Sequence, residues 1–374
     1  MKRSITNQVL EDMKKKIVLI SGPRQSGKTI LSKMLCSEFD YFNYDEPAQR
    51  LILKSKTWDR KKPLIIFDEL HKMDQWKLFL KGIYDTEGIP PALVVTGSAR
   101  MEAFRKVGDS LAGRYFSHRL HPLDIKEASS FLEPREAMER ILKVGGFPEP
   151  FLENSSRFYA RWKRSHLDVI LRQDMIDLTA ITDIQSIETL LEMLRSRVGS
   201  PVSYASLAGD LQKDAKTVKS WLLLLENLYV IFPVRPWHRN VARSILKEPK
   251  YYFYDTGQLA KDEGMRIENL TACSLLKYAH SLEDGAGIRC SLCYFRTKDG
   301  KELDFVLSMD DRIAAAYEVK RSNTDLSPGF RHFSSHIADA VKVQLVAYPD
   351  REKTYPTGEE VRSLPEYLAD LDLE

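Results

Sequence analysis

The stretch Ile17–Ser32 reads IVLISGPRQSGKTILS. Four apolar residues lead into the pattern Gly-x-x-x-x-Gly-Lys-Thr, and an apolar-periodic segment follows it, which is the strand–loop–helix setting of a phosphate-binding loop. Gly22 and Gly27 allow backbone conformations that other residues avoid, so the loop can surround a phosphate with N–H groups. Lys28 adds a cation for the β- and γ-phosphates, and Thr29 adds a hydroxyl for Mg²⁺. The predicted contacts to a nucleoside triphosphate are Gly22, Pro23, Arg24, Gln25, Ser26, Gly27, Lys28 and Thr29.

Polar side chains follow the next two apolar runs. Leu64–Glu69 reads LIIFDE, and a parallel strand would deliver Asp68 at its carboxyl end, where ligands of α/β sheets bind. Asp68 is therefore predicted to hold Mg²⁺, and Glu69 to polarise the attacking water. Ala92–Ser98 reads ALVVTGS, and its Ser98 or Thr96 is a candidate to sense the γ-phosphate. An ordinary strand end is the alternative for either residue.

Arg114 closes the motif LAGR in a region rich in basic residues. It is the candidate arginine for stabilising the transferring phosphate, either within its own chain or from a neighbouring copy. A surface salt bridge is the competing interpretation. Because strands alternate with helices throughout, a parallel α/β sheet is predicted for about residues 15–125.

The ordered set of GPRQSGKT, FDELH, VVTGS, LAGR and HPLxxxE resembles a widespread bacterial and archaeal family. Its members are AAA+-type ATPases, related to origin-recognition and STAND-type ATPases, that carry a C-terminal domain of unknown function. The resemblance covers nearly the whole chain. It implies ATP as the nucleotide, with Asp68, Glu69 and Ser98 in the roles argued above. Arg100 is not expected from the family pattern, and its role is left open.

The middle of the chain reads as helical and then as a winged helix. Helices are predicted over residues 137–143, 156–169 and 184–195, with a hinge at GGFP (145–148), and they are expected to form a lid over the nucleotide. Two short helices and a β-hairpin strand follow within residues 199–236, a pattern typical of DNA-binding domains. The basic residues that would contact DNA are Lys213, Lys216, Lys219, Arg235, His238, Arg239 and Arg243. The alternative is a module that only packs against the ATPase.

A second candidate site lies near the C-terminus. Asp304 and Glu318 are predicted on adjacent antiparallel strands, and Lys320 shares a face with Glu318. This Asp…Glu-x-Lys pattern, with Glu268 on an upstream helix, resembles the PD-(D/E)XK nuclease family. The resemblance implies that Asp304 and Glu318 bind Mg²⁺ or Mn²⁺, that Lys320 activates water or steadies the phosphate, and that Glu268 completes the site. A surface hairpin with paired charges is the alternative.

Composition sets the remaining limits. The chain has 374 residues, a net charge of +3 and four cysteines, so several domains are expected and any polyanion binding must come from local clusters. Four cysteines do not form a secreted disulfide framework, and the apolar runs are too short to span a membrane. A cytoplasmic protein without a membrane partner is predicted.

The sequence thus predicts an α/β protein in four parts. They are a P-loop ATPase domain with an AAA+-type parallel sheet (1–130), a helical lid or linker (131–198), a winged-helix domain (199–248) and an α/β PD-(D/E)XK nuclease-like domain (249–374). The leading hypothesis is an Mg²⁺-dependent ATPase whose hydrolysis cycle regulates DNA binding, and DNA cleavage, by the C-terminal half. One alternative is an ATP-driven switch that controls a protein partner and uses the nuclease fold as a scaffold. Another is a DNA-binding regulator with slow ATPase activity. An assembly of identical chains fits each.

Overall fold

The structure is a computed structural model that describes residues 1–98, 111–174, 183–238, 247–259, 262–297 and 299–373. Arg100, Arg239 and Arg243, which the sequence analysis singled out, lie outside these ranges. The described chain divides into two compact units. The first comprises Met1–His121, Asn227–Tyr229 and Asp284–Ala286, and the second comprises the remainder. No helix in the described ranges is both long and apolar enough to cross a bilayer.

Residues 1–121 alternate between helices and strands. The helices are α1 (Thr6–Asp12), α2 (Lys28–Met34), α3 (Pro47–Ser55) and α4 (Trp76–Glu87). The strands are β1 (Ile17–Ser21), β2 (Asp40–Asn43), β3 (Leu64–Asp68), β4 (Ala92–Gly97) and β5 (Tyr115–Arg119). They form one parallel sheet in the order β2-β3-β4-β1-β5, which confirms the predicted parallel α/β sheet.

This sheet is covered on both faces, which is why its central strands are apolar up to the residues at their carboxyl ends. Ile17 and Leu19 of β1 face a core that includes side chains of α3 and α4. Val18 and Ile20 face the opposite core, which includes side chains of α1 and α2. Parallel strands sandwiched between helices read as continuous apolar runs rather than as alternating ones. The carboxyl ends of β1, β3 and β4 consequently lie side by side.

The rest of the described chain contains ten further helices and a mixed sheet. The helices are α5 (Ile125–Ala128), α6 (Pro134–Val144), α7 (Pro148–Glu153), α8 (Ser156–Val169), α9 (Ile184–Arg195), α10 (Tyr204–Leu211), α11 (Ala215–Asn227), α12 (Glu263–Ala286), α13 (Pro328–His332) and α14 (Leu364–Ala369). The strands are β6 (Ile231–Pro236), β7 (Lys250–Phe253), β8 (Cys290–Arg296), β9 (Glu302–Met309), β10 (Arg312–Lys320), β11 (Val341–Val346), β12 (Lys353–Thr354) and β13 (Glu359–Ser363). They form one sheet in the order β12-β13-β11-β10-β9-β8-β6-β7.

The three predicted helices of the middle region are present as α6, α8 and α9. Between the first two, Gly145 ends α6 with φ 75°, and the ring of Phe147 packs 5.1 Å from that of Trp162. The GGFP segment is thus a packed turn in this structure. Its action as a hinge, and the action of these helices as a lid, remain predictions.

The two helices and the strand predicted within residues 199–236 are present as α10, α11 and β6, and β6 pairs with β7 in an antiparallel arrangement. The assignment of this segment as a winged-helix domain stays a prediction. In α11, Val218, Trp221, Leu222 and Leu225 are buried at helical spacing, as predicted. Strand β6 also pairs in parallel with β8, so the hairpin continues directly into the C-terminal sheet. The predicted start of the last domain at residue 249 therefore falls inside a hairpin.

Strands β9 and β10 form the predicted antiparallel hairpin. Phe305 lies opposite Tyr317 in the register, so Asp304 and Glu318 are the next residues along their two strands. Cys290 and Cys293 lie in β8, where burial raises the pKa of both thiols to about 12. Their setting is that of ordinary strand residues.

Candidate functional site

The phosphate-binding loop connects β1 to α2 in a conformation that requires its glycines. A Cβ at Gly22 would lie 2.3 Å from the carbonyl oxygen of Leu120, and Gly27 has φ 97°. Within the loop, the Ser26 N–H donates to the carbonyl oxygen of Pro23 at 3.2 Å. Arg24 and Gln25 lie at the partly exposed turn between them. The eight predicted nucleotide contacts thus form one continuous loop at the carboxyl end of the central strand.

Lys28 is buried at the start of α2 and curls over the loop. Its ammonium donates to the carbonyl oxygens of Gly22 at 2.9 Å and of Pro23 at 2.7 Å. Both acceptors are uncharged backbone carbonyls of the loop that would surround a phosphate group. The geometry is suited to holding a polyphosphate against the loop.

Arg3 supports the loop from the N-terminal segment, and the sequence analysis did not identify it. Its guanidinium donates to the carbonyl oxygens of Ser26 at 2.7 Å and of His121 at 2.5 Å. Arg3 is only 5% exposed. Because a buried guanidinium with two fixed acceptors restricts both backbones, Arg3 holds the loop in place.

Asp68 ends β3 beside the loop and accepts hydrogen bonds from three hydroxyl groups. Thr29 Oγ1 donates to Oδ2 at 2.8 Å and Tyr41 Oη to Oδ2 at 2.7 Å, while Thr96 Oγ1 donates to Oδ1. Burial, followed by the bond to Asp68, raises the pKa of the Tyr41 hydroxyl, which stays protonated as a donor. The predicted pairing of Asp68 with Thr29 is present, while Thr96 contacts the acid rather than facing the nucleotide.

These oxygen donors fit a magnesium ion. Mg²⁺ prefers hard oxygen ligands, commonly one or two protein groups completed by water and substrate phosphates. The Thr29 hydroxyl and the Asp68 carboxylate are adjacent at the loop, and Lys28 lies on the same loop. Thr29 and Asp68 are therefore the residues that would hold the ion.

Glu69 has a strained backbone and two polar neighbours. Its φ of 54° lies in the left-handed region, which a non-glycine residue rarely adopts outside functional sites and turns. Ser98 Oγ donates to Glu69 Oε2 at 3.3 Å, and His71 Nδ1 lies 3.4 Å from the same oxygen. Burial lowers the pKa of His71, which favours the neutral ring. Ser98 thus lies beside the predicted catalytic carboxylate, together with a histidine that the sequence analysis did not assign.

Arg114 lies at the end of the strands opposite the phosphate-binding loop, where β1 begins. Its carbonyl oxygen accepts from Ile17, the first residue of β1, whereas the loop follows Ser21, the last. The four residue steps from Ile17 to Ser21 separate the two ends of β1 by about 13 Å. The guanidinium pairs with Asp85 at 2.6 Å, as the salt-bridge alternative proposed. Within one chain Arg114 is therefore not brought to the phosphate-binding loop, and only its action on a neighbouring copy stays a prediction.

The winged helix presents a small basic surface. Lys213, Lys216 and Lys219 are exposed at the start of α11, and Lys213 pairs with Asp183 at 2.7 Å. Arg235 and His238 are partly buried at the end of β6. We call the exposed pair Lys216 and Lys219 the α11 basic face, since the two are three residues apart and point to one side of the helix.

The C-terminal sheet brings Asp304, Glu318 and Lys320 together as predicted. The N–H of Val319 donates to Asp304 Oδ2 at 2.9 Å, and Lys320 Nζ donates to Glu318 Oε1 at 2.8 Å. Ser327 Oγ also donates to Glu318 Oε1, at 3.0 Å. Glu318, Lys320 and Ser327 border a cavity of about 840 Å³ that is also lined by α13. The two carboxylates and the lysine lie on one face of the sheet.

The charges of this group are strongly coupled. Burial, then the neighbouring carboxylates of Glu318 and Glu268, raise the pKa of Asp304 well above its usual range. Burial alone would lower the pKa of Lys320, but Glu318 raises it above its usual value. The carboxyl group of Asp304 therefore keeps its proton to a higher pH than an exposed aspartate does.

Glu268 faces a lysine that the sequence analysis did not identify. Lys250 on β7 is completely buried, and its ammonium forms ion pairs with Glu302 and, at 3.7 Å, with Glu268. Tyr252 Oη donates to Glu268 Oε1 at 2.7 Å. A Cβ on Gly199 would lie 2.6 Å from the Glu268 carboxylate, so that side is closed by backbone.

This arrangement does not fit the predicted metal site. Among the residues that the structure describes, no group of three or more His, Cys, Asp and Glu side chains could hold a metal ion. The carboxylates of Glu268, Glu302 and Glu318 instead contact ammonium groups of the chain. The predicted ligands Asp304 and Glu318 are adjacent, but their setting is that of an internal ion-pair network.

Comparisons with known proteins divide the chain into three segments. Residues 14–129 match the family model of an AAA domain, residues 135–266 match a domain of unknown function (DUF8612), and residues 263–367 match another domain of unknown function (DUF4143).

Curated relatives span nearly the whole chain. An uncharacterized protein of Mycobacterium tuberculosis is 26% identical over 360 residues, covering 93% of this chain and 80% of the relative. An uncharacterized protein of Methanocaldococcus jannaschii is 23% identical over 380 residues, covering 90% and 82%.

Solved structures show weaker likeness. A variant of RuvB from Thermotoga maritima is 17% identical and covers 61% of this chain and 86% of its own, with a TM-score of 0.33. A STAND protein with a tetratricopeptide repeat sensor from Pyrococcus horikoshii is 14% identical and covers 76% and 48%, with a TM-score of 0.24.

Proposed function

We propose that this chain, whose residues 14–129 form a P-loop ATPase domain of the AAA+ type, hydrolyses ATP with Mg²⁺ and thereby controls DNA binding by its winged-helix segment. The observation that carries the ATPase part is the convergence on Asp68. This acid lies beside Thr29 at the carboxyl end of the sheet, next to the loop on which Lys28 is buried. Glu69 follows directly and supplies a carboxylate for the attacking water.

Each residue has a separable task in this proposal. The loop amides and Lys28 bind the phosphates, and Thr29 and Asp68 would hold Mg²⁺, which neutralises charge on the phosphate oxygens when bound. Glu69 orients a water molecule as general base, and Ser98 holds the Glu69 carboxylate at 3.3 Å. Tyr41 and Thr96 fix the orientation of Asp68.

Replacing the loop lysine tests the assignment. The Lys28→Ala variant should lose ATP turnover, because the phosphates lose their cation. Lys14→Ala, which removes an exposed lysine outside the loop, should turn over ATP at the parental rate. Turnover that persists in Lys28→Ala while the protein stays folded would exclude this site as the ATPase.

DNA binding is the finer part of the proposal, and the α11 basic face supports it. Two exposed lysines on one side of the second helix are placed as in helices that enter a DNA groove. The double variant Lys216→Glu/Lys219→Glu should weaken duplex binding in fluorescence anisotropy and lower the slope of log K against log salt by about two. Lys14→Glu/Lys15→Glu makes the same change of net charge elsewhere and should have little effect. Equal binding by both variants would remove this face from the proposal.

DNA cleavage at Asp304, Glu318 and Lys320 is the activity that the resemblance implies for the C-terminal domain, and the ion pairs of this group argue against it. It is tested with linear duplex, single-stranded and four-way-junction DNA, with Mg²⁺ or Mn²⁺, and with and without ATP. The Asp304→Ala/Glu318→Ala variant is the control. Cleavage that disappears in this variant would establish an ATP-coupled nuclease.

The second candidate function is a non-cleaving switch that controls a protein partner. The buried Lys250 within the carboxylate group favours it, because an ammonium contacts oxygens that a catalytic metal would need. A protein that binds no DNA but changes its assembly state with nucleotide would support this candidate over the first.

Arg114 is assigned to a neighbouring copy in an assembly of identical chains. Arg114 lies at the end of the strands opposite the phosphate-binding loop, which supports this assignment over action within one chain. Mixing Arg114→Ala with Lys28→Ala chains tests it, since each chain supplies what the other lacks. A mixture that is more active than the sum of its parts supports the assignment, and a strictly additive mixture contradicts it.

A further inference from the structure

Lys250 lies at the centre of the carboxylate group of the C-terminal sheet. It starts β7, and its side chain is completely buried. The ammonium pairs with Glu302 and lies 3.7 Å from Glu268 Oε1. It also lies 5.1 Å from the ring centroid of Tyr294. A fully buried lysine is uncommon and is retained where opposite charges surround it.

The acids around Lys250 are balanced by cations of the chain itself. Glu302 is shared between Lys250 and Arg296, the latter at 2.9 Å. Glu318 pairs with Lys320 at 2.8 Å. Glu268 takes the remaining side of Lys250 together with the hydroxyl of Tyr252, so these three carboxylates have partners in the second unit.

Asp304 completes the balance. The neighbouring carboxylates of Glu318 and Glu268 raise the pKa of Asp304, while the positive charge of Lys250 lowers it. Counted by their ion pairs, three carboxylates (Glu268, Glu302 and Glu318) face three cations of the chain (Lys250, Arg296 and Lys320). A divalent ion placed here would lie beside the buried ammonium, where like charges in a low dielectric repel strongly.

We infer that Lys250 is the resident cation of this carboxylate cluster, so that the cluster binds no divalent metal in the native chain and becomes a divalent-metal site when Lys250 is made uncharged. The oxygens freed by that change belong to Glu268 and Glu302, and the carboxyl group of Asp304 is close enough to act on Lys250 electrostatically. Glu318 Oε2, which is buried and accepts no hydrogen bond from the described part of the chain, is a further available ligand atom. Hard cations take such oxygen ligands. This inference does not rest on the ATPase activity.

The test measures Mn²⁺ binding to the full chain without nucleotide, by electron paramagnetic resonance of the unbound ion. The C-terminal site is defined as the binding that disappears on Asp304→Asn, which separates it from any ion at the phosphate-binding loop. The native chain and its Asp304→Asn variant should bind the same amount of Mn²⁺. The Lys250→Met chain should bind one additional ion, and Lys250→Met/Asp304→Asn should not.

Each outcome decides the inference. Mn²⁺ binding by the native chain that depends on Asp304 overturns it, and so does a folded Lys250→Met chain that gains no site. If Lys250→Met folds only in the presence of Mn²⁺, the ion replaces the ammonium, which supports the inference. If Lys250→Met does not fold under either condition, the comparison of the native chain with Asp304→Asn decides alone, because both keep the lysine.

Discussion

Asp68 and Asp304 are carboxylates on sheet strands, the first buried and the second half-buried, and each has a lysine nearby, yet their surroundings differ in kind. Asp68 is held by hydroxyl groups, and the nearby Lys28 donates to backbone carbonyls. Asp304 lies among carboxylates whose charges are met by Lys250 and Lys320. At the first site the acid and the lysine contact neutral groups of the chain, whereas at the second the carboxylates contact cations of the chain itself. Asp68 and Asp304 both lie on sheet strands, so the difference between them comes from the charged groups that surround each acid.

The largest effect is expected at the phosphate-binding site. Glu69→Gln removes the general base but keeps the shape and the bond from Ser98, so ATP binding should remain while turnover falls by about 10²- to 10⁴-fold. Steady-state phosphate release and binding of a fluorescent ATP analogue measure the two properties.

Glu87→Gln is the matched control for Glu69→Gln. Glu87 lies at the end of α4 and pairs with Arg60 at 2.9 Å on the surface. Its replacement should leave turnover unchanged. If both variants were equally active, Glu69 would not be the base. The description of the phosphate-binding loop and its neighbours as a catalytic site would then be wrong.

The C-terminal cluster should respond in stability instead. Lys250→Met leaves buried carboxylates without their cation, which should lower the free energy of unfolding by about 3–5 kcal/mol. Urea unfolding measures it, and Lys301→Met is the control because Lys301 is exposed. Adding Glu302→Gln to Lys250→Met should restore part of the loss. Additive losses in the double variant would show that the two groups are not coupled.

The two sites also differ in how far sequence could foresee them. The phosphate-binding loop is one continuous motif, so its strand, glycines, lysine and threonine are read together, and the parallel sheet follows from the apolar runs. The hairpin that carries Asp304 and Glu318 was foreseen for a similar reason, since its strands are adjacent in sequence. Lys250 could not be foreseen, because its contacts depend on β7 joining β6 at one edge of a sheet whose β9 carries Glu302.

Arg3 and Tyr41 were missed for the same reason. Arg3 is distant in sequence from its acceptor on His121, and Tyr41 meets Asp68 only because β2 lies beside β3. No local pattern marks such residues. The motif LAGR identifies Arg114 as a candidate but does not show at which end of the strands it lies. The hydrogen bond between its carbonyl oxygen and Ile17 shows that it lies where β1 begins.

Asp255 is a buried acid of a third kind, because its hydrogen-bond donors are neutral and no metal role is assigned to it. Tyr159 Oη donates to it at 2.9 Å and the Gly257 N–H at 3.2 Å. Burial raises its pKa to about 6. Since the folded pKa exceeds the unfolded value, its contribution to stability is complete below about pH 4 and is lost as the pH rises through 6.

The Asp255→Asn variant should flatten that dependence. The native chain should lose about 3 kcal/mol of stability from this group between pH 4 and pH 7, at 1.4 kcal/mol for each pKa unit. The variant should lack that part of the slope in urea unfolding at matched pH values. An unchanged slope would show that Asp255 stays in one protonation state throughout this range.

The smallest expected effect concerns a single hydroxyl at Asp68. Tyr41→Phe removes one of three donors to this acid and should lower stability by about 1 kcal/mol, the net contribution of a typical hydrogen bond. Because Thr29 donates to the same Oδ2 atom, the carboxylate keeps its orientation, and ATP turnover should fall only a few-fold. Tyr44→Phe is the control. Tyr44 directly follows β2, and its hydroxyl has no assigned role. A loss of turnover as large as that of Glu69→Gln would mean that Tyr41 acts on the nucleotide or its water, and the site would then depend on a phenol as well as on its carboxylates.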